Sequence, residues 1–376
     1  MNHSPLLSAI TIGAISSLLS ACGGSDDNGS ATTVVDNSGS QYAAMEAISS
    51  PAYLDLASGA VVSKENEWHF SYQKNVGFSV NGGISGNGGI TACIAHTPDG
   101  LFDDENRAVQ SAFEALTRDN TLAAFNAVNK TSCDESELIS DGLQTRIEFS
   151  DWASYNPSTH GITLNETDSN GWIVRSATAD ANGNSNYGRV KVSDLTYTSG
   201  TSYTLKFSVE QWDDNAQVFV ASDESAAIDF TDARQYWDME TNAIVTADAD
   251  WELSIERTSP AWSIQLNSAV SGSGNAGIGH VLLDSGSAFD VSNPKTSGDD
   301  IYKFDKDSAK TALAGPAKYG AFQYGVGGGH KMWPTFTTYL FKDGERYFKA
   351  QIVSNYGEDG TMGSGNLYVR YAEVIE

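Results

Sequence analysis

The chain has 376 residues and a net charge of −26, with 48 acidic against 22 basic side chains, which argues against a nucleic-acid partner and against polybasic attraction to anionic lipid headgroups. Only 8 prolines stand beside 36 glycines, 16 tyrosines, 15 phenylalanines and 8 tryptophans, and many short runs alternate apolar with polar residues. That composition points to an all-β chain of antiparallel sheets, and its length is comfortable for two domains.

Residues 5–19 form an apolar run too short for a spanning helix, ending in Leu19-Ser20-Ala21-Cys22 before Gly23-Gly24. The stretch resembles a bacterial lipobox, although no Lys or Arg precedes the apolar run. The resemblance implies a signal peptide over 1–22, lipidation of Cys22 and, with glycine after the cysteine, an outer-membrane destination. Residues 23–41 are rich in Ser, Gly, Asp and Asn and read as a flexible tether.

Cys93 and Cys133 then remain as an even pair in an exported chain, a disulfide candidate, with two free buried thiols as the alternative. Between them, Val109, Ala112, Phe113, Leu116, Leu122 and Phe125 fall at helical spacing, which predicts a helical insertion over 103–128.

The sequence repeats. Tyr53-Leu54-Asp55-Leu56, the Ser58-Gly59 turn, Val61-Val62 and Trp68 are echoed at a constant offset by Tyr236-Trp237-Asp238-Met239, Asn242, Ile244-Val245 and Trp251. Ser85-Gly86-Asn87-Gly88 is matched by Ser271-Gly272-Ser273-Gly274, and His96 by His280. Past the insertion, Trp152-Ala153-Ser154-Tyr155 and His160 face Phe322-Gln323-Tyr324 and His330. Each copy closes with a hairpin and a final strand. The expected organisation is therefore a first domain over 42–213, carrying the helical insertion, and a second over 214–376. Trp68 and Trp251 read as core residues, and His69, pointing away from Trp68, as a solvated face residue.

Taken together these elements resemble the HmuY family of haem-capturing bacterial lipoproteins. The resemblance rests on the aromatic-x-Asp-Leu strand with its Ser-Gly turn, the Asn81 to Gly86 loop, Trp152-x-x-Tyr155, and the Gly171-Trp172-Ile173-Val174-Arg175 strand before a hairpin. Tandem duplication and the insertion depart from the simplest, one-domain pattern. The resemblance implies an all-β fold in which two axial side chains hold haem, here His96 with His160 in the first copy and His280 with His330 in the second. It also implies delivery of haem, captured free or from haemoproteins, to a TonB-dependent outer-membrane receptor. Two imidazoles saturate haem iron and leave no open position for oxygen chemistry, which describes a carrier and not an enzyme.

The glycine-rich stretch Gly325 to Trp333 presents His330, with Met332 as an alternative ligand. Trp152, Tyr155, Tyr324 and Trp333 are expected as walls of the haem pockets, and Lys331 as the nearest cation for a propionate. The second reading is a surface adhesion or glycan-binding β-domain lipoprotein that works without haem. No Ser-His-Asp elbow, HExxH or P-loop motif is present in support of a catalyst.

Overall fold

The structure, a computed structural model, describes residues 39–257 and 262–375, with the backbone of Val34–Val35. Cys22 and most of the tether lie outside the described residues. The chain is built of antiparallel sheets, and its strands follow the alternation of their sequences. In Ser202–Asp213, Tyr203, Leu205, Phe207 and Val209 are buried while their neighbours are half-exposed. Trp68 and Trp251 are core residues as expected, each with its indole Nε1 donating 3.2 Å to the carbonyl four residues earlier, of Lys64 and Ala247.

The sheets join the two sequence copies crosswise. Gln41–Glu46 pairs with Asn366–Glu373, and Thr91–His96 pairs with Thr338–Asp343, so the start of the first copy is completed by the end of the second. Reciprocally, Ile228–Asp229 and Gly277–Val281, from the start of the second copy, pair with Ser202–Asp213 and Trp172–Ala179 at the end of the first. One apolar core, of the terminal lobe, runs from Ala43 to Ala92 and resumes from Ala312 to Tyr371. The other, of the central lobe, lies wholly between Ile147 and Ala276. The expected division at 213/214 does not coincide with either core. A repeat reveals which segments are alike, but equivalent segments offer equivalent edges, so it leaves open which copy each one joins.

The chain leaves the terminal lobe through Gly142–Gln144 and returns through Ser308–Lys310, and these two crossing segments pair antiparallel. A buried aspartate clamps each crossing. Asp141 accepts the backbone N–H groups of Val80 and Ala312, at 3.1 and 2.9 Å. Asp307 accepts those of Leu266 and Arg146, at 2.8 and 2.9 Å. Each carboxylate thus ties a strand of one copy to the incoming chain of the other. Burial pushes both carboxyls up from the ordinary range.

Cys93 and Cys133 form a disulfide with Cα atoms 6.7 Å apart, packed on Val128 and Leu340 of the terminal lobe. The insertion it closes is two short helices, Gln110–Ala115 and Leu122–Ala127, and not one long helix. The break has a local cause: the Asn120 side chain accepts from the Thr117 N–H and donates to the Ala115 carbonyl, holding a turn that competes with the helical ladder. His69 also departs from expectation. It is buried, accepts from the Leu56 N–H at 3.1 Å and lies edge-on to Phe348, and burial holds its pKa below the ordinary histidine value. In the other copy Glu252 occupies its place and accepts from the Met239 N–H at 2.7 Å.

Candidate ligand-binding site

In each copy a short hairpin carries a tyrosine and a histidine that hydrogen-bond to each other. Ala153–Asn156 pairs with Gly161–Leu164, and the Tyr155 hydroxyl lies 2.6 Å from Nδ1 of His160. Phe322–Tyr324 pairs with Met332–Pro334, and the Tyr324 hydroxyl lies 2.7 Å from Nδ1 of His330. Because Tyr324 engages Nδ1, the Nε2 atom of His330 is the one left to meet a ligand. The glycine run permits the tip of the second hairpin. Gly325, Gly327 and Gly328 all have positive φ, and a Cβ on Gly327 would come within 2.7 Å of the Gln110 side chain. Val326 is buried against Leu101 and Phe113, so the disulfide-closed insertion supports the loop that presents His330.

The crosswise pairing separates the histidines that the resemblance had grouped. His96 ends a strand of the terminal lobe, whereas His160 lies on a hairpin whose strand residues Ile162 and Leu164 pack on the central core. His280 lies on a strand paired with the end of the first copy and faces Asp305 at 3.7 Å, whereas His330 is carried by the terminal lobe. Neither expected axial pair shares a core. The expected pocket walls also scatter. Trp152 is fully buried in the central core, Tyr155 is half-exposed, and Trp333 packs on the cluster of Leu101, Phe113 and Val326.

What the terminal lobe does build is a cavity of about 720 Å³, a size typical of small-molecule sites, lined among others by Tyr324, His330 and Met332. Tyr72, Phe78, Tyr319, Phe322 and Tyr356 give it aromatic walls. Burial, and then the neighbouring Tyr356, push the Tyr72 phenol up to about 12, so it remains neutral. The Met332 N–H donates to the Tyr356 hydroxyl at 2.9 Å, which fixes the thioether strand against that wall.

Its electrostatics run against those of the chain. Lys74, Lys310 and Lys318 line the cavity and none of the lining residues is Asp or Glu, although the chain carries 48 acidic side chains. A cavity of this kind favours an anionic ligand with a flat apolar body. The sequence reading missed all three lysines and named Lys331 instead. They come from a hairpin turn, a crossing strand and a loop, and no local motif joins them.

Among the described residues one further group could approach a cation, Asp238, Glu240 and Glu252 in the central lobe. Its hydrogen bonds explain it without one. Glu252 accepts the backbone N–H groups of Ala177 and Met239, and burial beside Glu252 and Asp238 pushes Glu240 up to about 8, so that it holds a proton and donates to its neighbour.

No protein-family model matches the chain, and comparison with curated proteins and with solved structures likewise finds no match.

Proposed function

We propose that this protein is a cell-surface lipoprotein that captures haem in the cavity of the terminal lobe and passes it to an outer-membrane uptake system. The observation that carries the reading is the coincidence, on one aromatic cavity, of a histidine with an available Nε2, a thioether and three lysines without a carboxylate. A neutral imidazole and a methionine sulfur are both ligands of haem iron, and the lysines suit the two propionates. With Nε2 as the ligating atom, His330 Nδ1–H would donate to the Tyr324 hydroxyl, and that bond orients the ring, as partners of ligating histidines commonly do. Lipidated Cys22 would hold this lobe at the membrane surface. The role is carriage, because the chain shows no catalytic motif that would use the bound group.

A haem titration of the soluble chain, followed by absorbance, tests the reading. The wild type should develop a sharp Soret band. His330→Ala should shift that band and weaken binding at least tenfold, and Lys310→Glu with Lys318→Glu should weaken it without changing the ligand-field bands. A wild-type spectrum that excess haem leaves unchanged would reject haem capture in favour of the adhesion reading.

A further inference from the structure

The two lobes are built from equivalent segments, so the cavity of the terminal lobe has a definable counterpart in the central lobe. Register identifies it. Tyr72 pairs with Phe78 and Gln73 with Gly77, just as Ile255 pairs with Ile264 and Glu256 with Ser263. Lys74 therefore corresponds to Arg257, and Val76 to Trp262. Val76 is 75 % exposed at the cavity, whereas Trp262 is 6 % exposed and lies inside its lobe.

Trp262 sits within a cage of rings. Its centroid is 5.7 Å from that of Phe149, 6.0 Å from Trp152, 5.6 Å from Tyr197, 5.3 Å from Tyr203 and 5.3 Å from Phe230. Backbone hydrogen bonds locate the matching positions in the terminal lobe. Phe230 N–H donates to the Tyr203 carbonyl as Ala47 N–H does to Gly365, so Phe230 answers to Ala47 and Tyr203 to Gly365. Asn165 N–H donates to the Trp152 carbonyl as Thr335 N–H does to Ala321, so Trp152 answers to Ala321. The terminal lobe thus lacks the tryptophan and the rings at three positions of its cage. Val76 lines the terminal cavity where Trp262 fills the central lobe, while Ala47 and Ala321 are buried in the terminal core and Gly365 lies against Ile48 and Lys74.

We propose that the central lobe holds the same binding site in a closed form, with the Trp262 indole standing where the terminal lobe takes its ligand. The inference rests on the terminal cavity being a ligand site, and it assigns the chain one working site and one latent site. It also defines the ligand class from inside the protein: the closed copy shows that an aromatic bicycle stacked among rings fits this fold, and Lys74 and Lys318 at the open cavity supply cations for an acidic substituent. The hairpin Tyr155–His160, kept in the closed copy, is then a relic of the site and not a second ligand.

Indole itself is the probe, so the test does not depend on haem. Trp262→Gly should bind one more indole per chain than the wild type, and indole should raise its melting temperature more than it raises that of the wild type. A folded Trp262→Gly chain, judged by circular dichroism, that takes up no additional indole would overturn the proposal. If that variant does not fold with or without indole, Val76→Trp decides. At this exposed position the added indole should enter the terminal cavity, emit at shorter wavelength than a solvent-exposed tryptophan, and exclude the anionic dye anilinonaphthalene sulfonate, which the wild type is expected to take up in that cavity. Unchanged dye uptake together with solvent-exposed emission would overturn the proposal. Indole results as expected with no haem uptake by the wild type would retain the closed-site relation and reject only the haem reading.

Discussion

At the scale of single residues, the buried carboxylates do distinct jobs. Asp141 and Asp307 each satisfy two backbone N–H groups, one on the edge strand of a sheet and one on the incoming chain, so removing either one orphans two donors. Asp141→Ala and Asp307→Ala should each cost about 2–5 kcal/mol by denaturant titration. A loss below about 0.5 kcal/mol would mean that the crossings do not need their clamps. Glu240 gives the pH dependence. Its carboxyl is raised from the ordinary 4.5 to about 8, first by burial and then by Glu252, so the folded state holds a proton that the unfolded chain releases. Its contribution is complete below the unfolded value and is lost as pH rises through about 8. The wild type should therefore lose stability between those limits, and Glu240→Gln, which keeps the donor but does not titrate, should flatten the slope. A slope unchanged in that variant would place the pH sensitivity elsewhere.

At the scale of elements, the disulfide ties the insertion to the strand Thr91–His96 that carries His96, and the insertion in turn touches Val326 beside the His330 loop. Closing the loop between Cys93 and Cys133 contributes about 4 kcal/mol in the chain-entropy model. Reduction should lower stability by that order, and it should accelerate hydrogen exchange in residues 101–133 and 325–330 ahead of the sheets. Uniform acceleration over the whole chain would contradict this local role. The elements were also the most legible level. Alternation placed the strands, and the even cysteine pair gave the bridge. Helical spacing over 103–128 suggested one helix because apolar periodicity does not register a competing turn such as Thr117 to Asn120. His69 was misread because alternation predicts the face of an isolated strand, while here both faces of Phe70–Gln73 and its approach are covered by other segments.

At the scale of the whole molecule, duplication was readable and its consequence was not. The repeated Tyr53 and Trp68, with ring centroids 5.0 Å apart, and Tyr236 and Trp251, at 4.9 Å, confirm equivalent local structures, but only the assembled sheets reveal that each lobe takes half of each copy. For the same reason the candidate site was half legible: Tyr324, His330 and Met332 lie close in sequence, whereas Lys74, Lys310 and Lys318 meet only through the crossing of chain segments. The crosswise pairing predicts how fragments behave. Residues 146–307 contain the central core entire and should fold alone, whereas 42–213 carries unmatched halves of two cores and should not. Cooperative thermal unfolding of the fragment 42–213 would contradict the arrangement.

The most direct test counts ligands by absorbance titration, with haem added in parallel to the full soluble chain and to the fragment 146–307. One haem per full chain, lost or weakened at least tenfold with His330→Ala, and no spectral change in the fragment is the result expected of a single open site in the terminal lobe. Two equivalent haems per chain, or a Soret band formed by the fragment alone, would contradict it.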